Sequence, residues 1–361
     1  MSDGAAWEAF CEALKRAGQQ ILRPEAPADD LTRAEGFRYL SRLARGGLES
    51  FLEFGDPRFP AFYSLSHETL KIGADNPDNL YQNARIDGRL TYRITGTRGT
   101  VHYLGFSTKA GGYGSTGALA PTGFLDSTTL QVERDGTFTV TVSATPHDGN
   151  WLPMTAESAM LIVRQTFTDR RTERRAELRI ERVGASDRPE PLTTAALAEK
   201  LRGAGRFVDA TAALFADWAR GLAALPNALP RQDQARYQQA GGDPSIHYYH
   251  GYWALGPDEA LVVHVPRIPP CDAWNFQLNN YWMESLDYRW HRIHLNAHTA
   301  VANADGSVTI VVAHRDPGRP NWLETAGHGV GTMCFRWIGA REIVDPETRV
   351  ELPDASRRGR T

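Results

Sequence analysis

Cysteine is scarce: Cys11, Cys271 and Cys334 are the only three in 361 residues. An odd count with no CxxC spacing argues against a disulfide framework or a structural zinc site, and fits reduced thiols. Long apolar runs are also missing. No window approaches the ~18 apolar residues of a membrane span. The N-terminal stretch is amphipathic rather than a basic segment leading into an apolar one, so no secretory signal is expected. Cytoplasm is the expected compartment, with no membrane partner. Positive charge is not in excess: 40 Lys and Arg against 43 Asp and Glu leave a net charge of −3. That excludes the electrostatic footprint of a nucleic-acid binder. There is no GxSxG elbow, Rossmann fingerprint or kinase motif set. The Gly-rich stretch at 327–331 lacks the strand–loop–helix setting and terminal Lys-Ser/Thr of a phosphate loop. No cofactor is therefore assigned.

What is present is an ordinary globular composition, 41% hydrophobic and 23% charged. The length exceeds what one core usually supports, so two domains are expected. Residues 1–52 read as helical: Trp7, Phe10, Cys11 and Leu14 recur at helical spacing, and Asp29–Asp30 caps a second helix bearing Leu31, Phe37, Leu40 and Leu43. Residues 53–183 turn to short alternating strands such as Phe138, Val140 and Val142. A helical insert and linker follow at 184–244, with at least two helices expected over 191–225 and Phe207, Leu214 and Trp218 on an apolar side. Strands return over 245–361.

An internal repeat organises these strands. Asp135-Gly136 is matched by Asp305-Gly306, Asn150-Trp151-Leu152 by Asn321-Trp322-Leu323, and Arg164 by Arg336, in the same order and nearly the same spacing. The physical meaning is one supersecondary unit used twice. Two similar all-β units joined by a helical insert make a double sandwich. Arg164 and Arg336 are expected to form the same ion pair or carbonyl contact in each unit.

The second half resembles a known family. The residues that carry the likeness are Trp274-Asn275-Phe276-Gln277-Leu278, Trp282-Met283-Glu284-Ser285-Leu286-Asp287, and His314-Arg315-Asp316-Pro317-Gly318 with Pro320-Asn321-Trp322-Leu323. Over about 245–345 they look like the domain-of-unknown-function family numbered 1214. The first half, with Gly73-Ala74-Asp75-Asn76-Pro77-Asp78 and Tyr81, is distantly similar to the family numbered 1254. The resemblance implies a mainly β, tandem jelly-roll β-sandwich with helices between the rolls. It implies no reaction.

Candidate chemistry concentrates in the second half. In an extended strand Asn275, Gln277 and Asn279 share one face, and amides that both donate and accept suit hydroxyl-rich ligands. The alternative is a polar edge over an aromatic core. Glu284 and Asp287 share a face only if their segment is one helical turn. They would then supply the acid and base of glycoside hydrolysis. If the segment is extended, the pair dissolves into carboxylates held by Arg289 or Arg292. Arg315, Asp316, Trp322 and His328 lie beyond a strand end, where sandwich loops build sites. Trp322 would stack on a ligand and His328 would carry a proton. His291, His294 and His298 offer a metal set only if they converge. Asp75, Asp78 and Tyr81 either cap a turn or face a pocket at the junction of the two rolls.

Two readings follow. One is a cofactor-independent hydrolase or lyase acting on a glycoside or other polyhydroxy small molecule at the loop rim of the second roll. Its catalytic groups are Glu284, Asp287 and His328, and Asn275, Gln277, Arg315, Asp316 and Trp322 orient the ligand. The other is a non-catalytic ligand-binding or assembly protein, with homo-oligomers compatible with either. Carboxylates converging in a cleft favour the first, and carboxylates each locked to an arginine favour the second.

Overall fold

The computed structural model of the chain describes residues 3–112, 119–185 and 188–352. In the first half β1 (Asn79–Arg85), β7 (Ser158–Thr166), β3 (Tyr103–Ala110) and β4 (Pro121–Asp126) lie side by side in that order. A second sheet orders β6 (Trp151–Pro153), β5 (Thr137–Ser143), β2 (Tyr92–Thr97) and β8 (Glu177–Arg182). In the second half one sheet runs β9 (Ile246–Ala254), β15 (Val330–Ile338), β11 (Ala273–Leu278), β12 (His294–Asn296). The other runs β14 (Trp322–Glu324), β13 (Val308–Ala313), β10 (Ala260–Val265), β16 (Glu347–Glu351). Adding eight to each strand number of the first half reproduces the second, sheet for sheet. Both halves share one parallel pair, β5 with β6 and β13 with β14.

The repeat landmarks match bond for bond. Asp135 accepts from the Thr137 backbone N–H at 2.9 Å, and Asp305 from that of Ser307 at 3.0 Å. The glycine after each has a left-handed φ, +85° at Gly136 and +83° at Gly306, a conformation that glycine adopts without penalty. Asn150 donates to the Gln131 and Thr139 carbonyls, and Asn321 to those of Val301 and Thr309. The indole N–H of Trp151 donates to the Ser143 carbonyl, and that of Trp322 to the Ala313 carbonyl.

Period-two patterning places the cores. Phe138, Val140 and Val142 turn inward with Leu104, Phe106, Leu161 and Val163 to fill the first sandwich. Val308, Ile310 and Val312 do the same in the second, beneath Trp274, Phe276, Phe335 and Trp337. The outer faces of the β1 and β9 sheets contribute to a third core, together with the helices. These are α1 (Asp3–Ile21), α2 (Asp30–Leu48) continued by a π-turn at Glu49–Glu53, α3 (Thr194–Leu222) and α4 (Gln234–Gln239).

Three helical expectations are corrected. On α1, Phe10 is buried but Trp7 is 57% exposed. On α2, Leu31 and Phe37 face solvent, whereas Glu35, Gly36, Tyr39 and Leu43 face inward. The buried face is chosen by the His328 partner of Glu35 and by close contact at Gly36, where a Cβ would lie 2.9 Å from the Trp282 ring. Over 191–225 there is one 29-residue helix rather than two, capped by the Thr193 hydroxyl. Gly203 and Gly205 do not break it. A Cβ on Gly203 would fall 2.4 Å from Phe51, so the small residue marks where helix and π-turn meet.

Candidate functional site

The strand pairings decide which side chains meet. Tyr81 on β1 sits opposite Arg164 on β7, and Tyr248 on β9 opposite Arg336 on β15. All four turn to the outer face of their sheet, away from the sandwich cores. Each tyrosine hydroxyl accepts from a backbone N–H five residues earlier at 3.0 Å, Asn76 for Tyr81 and Asp243 for Tyr248. A second repeat underlies this: Asn76-Pro77-x3-Tyr81 and Asp243-Pro244-x3-Tyr248. The arginines then cross over. Arg164 donates to the Gly241 carbonyl at 2.5 Å, and Arg336 donates to the Ala74 carbonyl. Each repeat's arginine thus grips the turn of the other repeat, at the residue two before Asp243 or Asn76.

Between them lies a partly open cavity of about 90 Å³. Asp75, Tyr81, Arg164, Tyr248, His250 and Arg336 line it, and Phe215 and Trp218 of α3 cover one side. His250 is fully buried, and desolvation with Arg336 and Arg236 nearby pushes its pKa down to about 3. It is therefore a neutral imidazole at pH 7. Among the described residues, its Nδ1 and the Ser66 hydroxyl are buried with no hydrogen-bond partner, and both residues line this cavity. Beside it, burial and Arg164 pull the Lys109 amine down to about 7, against the pull of Asp243, while it donates to the Gly242 carbonyl. Gly73 and Ala74 at the rim both have left-handed φ, +62° and +57°. A Cβ at Gly73 would fall 2.5 Å from Phe215.

The expected rim site of the second roll is not assembled. Asn275 and Gln277 lie on the outer face of the β11 sheet. Asn275 donates to Asn76 and Asp78, and Gln277 to the Asp75 carbonyl and Asn279. Their amides dock the first repeat rather than wait for a ligand. Trp322 packs on Val262, Val311 and Ala313 on the outer face of the opposite sheet. The sandwich core separates the two sets. Arg315 and Asp316 are exposed, and Asp316 caps the Gly318 N–H.

Glu284 and Asp287 do not form an acid–base pair, because the segment is a loop in which each carboxylate has its own arginine. Glu284 is 1% exposed, accepts from Arg42 at 2.6 Å and from Asn280 at 3.0 Å. Burial outweighs these partners and raises its pKa. Asp287 is held down at about 2 by the Arg289 guanidinium. His328 is buried against Glu35 at 2.8 Å. Burial alone would lower the His328 pKa, but Glu35 overrides it and raises it; the same contact outweighs burial at Glu35 and lowers its carboxyl.

Asp75 and Tyr81 do face a junction cavity. Asp75 accepts from the Ser285 N–H and hydroxyl at 2.9 and 2.8 Å. Asp78 instead buries its carboxylate among His294, Asn275 and Asn296, whose bonds outweigh desolvation and lower its pKa. The three histidines diverge to separate carboxylates, His291 to Glu324, His294 to Asp78 and His298 to Asp169. Among the described residues no metal-holding cluster occurs.

These features define a class: a duplicated β-sandwich whose repeats meet across a polar seam. The family model described as "Protein of unknown function (DUF1214)" matches twice, at residues 81–167 and 255–342. The match covers both halves, which corrects the expectation that it lies in the second alone. A crystal structure of an uncharacterized protein from Burkholderia cenocepacia is similar over 97% of each chain, with 57% identity and a TM-score of 0.95. Each half of the chain carries one match to the DUF1214 model. The VPA0106 protein of Vibrio parahaemolyticus, at 13% identity and TM-score 0.51 over 94% of this chain and 100% of its own, shares the fold. No curated protein matches significantly. No helix among the described residues is long and apolar enough to cross a membrane.

Proposed function

We propose that the protein is a non-catalytic binding protein for a small polar molecule held in the seam between its repeats. One observation carries this reading. The duplicated Tyr–Arg pairs converge on a cavity that leaves buried polar atoms, Ser66 Oγ and His250 Nδ1, without protein partners. Buried polar groups are almost always satisfied by protein, water or ligand. A glycoside hydrolase or lyase built on Glu284, Asp287 and His328 has less support, since all three are committed to ion pairs. A whole glycoside would also extend beyond the enclosed part of the cavity. About 150 Å³ admits benzene, whereas about 90 Å³ is smaller than a pyranose ring with its hydroxyls. The finer assignment of each unit to the jelly-roll type rests on its eight strands in two sheets; its parallel edge pair departs from an all-antiparallel roll.

The test is a thermal-shift screen of small polar compounds on the wild type and on Ser66→Met. That substitution fills the cavity without deleting a side-chain hydrogen bond of the protein. Compounds that raise the wild-type melting temperature but not that of the variant support the seam as the site. Stabilisation that Ser66→Met leaves unchanged removes it.

A further inference from the structure

The two halves of the seam are not charge-equivalent, and the difference points to the ligand's chemistry. Arg164 faces a carboxylate of the opposite repeat, with Asp243 Oδ2 3.7 Å from its Nη1. The position equivalent to Asp243 in the first repeat is Asn76, which is neutral. The first repeat carries its acid one residue earlier, at Asp75, and both oxygens of that carboxylate are turned to Ser285. Arg336 is consequently left with neutral partners: Gln277 Oε1, Asn275 Oδ1 and the Ala74 carbonyl. Those bonds use three of the five guanidinium N–H groups. Among the described residues no carboxylate lies within ion-pairing distance of it; Asp75, in the same lining, acts on it only from farther away, favouring its charged form, and Arg336 is 4% exposed. A buried charge with no directly bonded counter-charge is costly, and proteins normally pair it closely, as Arg164 is paired with Asp243.

We propose that the seam binds a small carboxylate whose oxygens occupy the counter-ion position at Arg336. This rests on the seam being a ligand site, as argued above. The size agrees. At the packing of benzene in about 150 Å³, the enclosed part of the cavity, about 90 Å³, holds roughly four non-hydrogen atoms, enough for a carboxylate group with its α-carbon. The carboxylate sits near Arg336, and the short apolar remainder faces Phe215 and Trp218. His250, neutral and with a free Nδ1, lies within the same lining and can satisfy a polar atom of the ligand without adding charge. Asp243 already offsets Arg164 and Asp75 shares the lining with Arg336, so the anion is held by the two unused N–H groups of Arg336 rather than by a net charge of the lining. Other small oxyanions share this chemistry, and nitrate and inorganic phosphate are the probes that separate size and shape from charge.

The experiment is ligand-observed NMR on the full chain at constant ionic strength. Acetate is compared with acetamide, its neutral counterpart of the same size, and with nitrate and inorganic phosphate. Acetate should bind at least about tenfold more tightly than acetamide, and Arg336→Met should weaken acetate by about 30-fold, as losing one partner of a buried charge pair does. Because Arg336→Met also strips donors from Gln277 and Asn275, two further variants keep the test sound. Arg336→Lys retains the charge and should retain part of the affinity. Asn76→Asp installs the missing carboxylate and should displace acetate while leaving any neutral probe unaffected. If acetamide binds as well as acetate and Ser66→Met blocks both, the seam remains a site but the carboxylate assignment is wrong. Tighter binding of phosphate than of acetate also overturns it. If no probe binds in a way that Ser66→Met blocks, both the site and the assignment fall.

Discussion

Replacing Glu284 by glutamine keeps the side-chain volume and removes only the charge, so it asks whether this carboxylate works or merely holds. In the fold it holds Arg42 at 2.6 Å and Asn280 at 3.0 Å while 1% exposed. Breaking a buried pair from one side costs about 3–5 kcal/mol. Arg42 retains a path to water, its side chain being 13% exposed, so the lower end applies: about 3 kcal/mol. That corresponds to a melting temperature roughly 6–12 °C lower for a cooperative unit of 150–250 residues. The converse variant, Arg42→Met, strands a carboxylate that cannot reach water and should cost more at pH 7, about 5 kcal/mol. It should also respond to pH. Glu284 has a raised pKa in the fold, so between the unfolded and folded values the native state binds more protons than the unfolded one. Stability contributed by this group therefore falls as pH rises through that window. Without Arg42 the window widens, and the variant should recover on moving from pH 7 to pH 5, whereas Glu284→Gln should not. Thermal melts of the wild type, both single variants and the double variant at the two pH values measure the coupling directly. A Glu284→Gln protein that melts like the wild type refutes the structural role and returns the residue to the list of groups free for catalysis.

His328 has a raised pKa and Glu35 a lowered one. The histidine's contribution is fully present below its unfolded pKa and is lost as pH rises through the folded value. His328→Gln should thus lower the melting temperature more at pH 6 than at pH 9; an equal loss at both contradicts an ionised pair. His250 has a pKa near 3, so the unfolded chain takes up its proton first as pH falls from about 6.5 to 3. His250→Phe should flatten the acid side of the stability–pH curve by a few kcal/mol, read from urea midpoints across that range. Lys109 titrates near 7 in the fold. Between there and about 10.4 the unfolded chain binds more protons, so stability should rise with pH, and Lys109→Met should abolish that rise. Gly203→Ala should overpack the contact with Phe51 and cost about 1–3 kcal/mol, seen as a lower melting temperature; no change would mean that the helix shifts freely.

The duplication was legible because its landmarks are local. An Asp-Gly turn, an Asn that ties a loop and a Trp that anchors a short edge strand each act within about twenty residues of their own position. The seam was harder to read because its residues are polar positions on strand faces that look like solvent-facing edges. Asn275 and Gln277 were correctly placed on one strand face. Periodicity says which residues share a face but not what covers it. Here the cover is the first repeat, two hundred residues away in sequence. The same limit misplaced Trp322 beside them, since loop ends were known and sheet membership was not. Asp75 and Tyr81 were recognisable from the turn they cap. Their partners repeat the pattern in the sequence as Asp243-Pro244-x3-Tyr248.

Exchange of arginines between repeats gives the duplication its consequence. Arg164 and Arg336 add to the amide contacts of Asn275 and Gln277 and to the shared helical core in joining the two sandwiches. Arg164 reaches Gly241 and Arg336 reaches Ala74, so each turn is positioned by the other half. Loss of either arginine must loosen a turn that also anchors a tyrosine through its backbone N–H. Both walls of the cavity are therefore coupled, and a ligand that bridges them stabilises contacts in both repeats at once. A symmetric duplication would place a carboxylate before both Pro-x3-Tyr turns and neutralise both arginines. Asn76 in place of an acid is the departure that leaves one of them for something else to satisfy. Restoring the symmetry with Asn76→Asp should make the seam self-sufficient in charge. The decisive reading is whether that variant loses the response to carboxylates that the wild type shows.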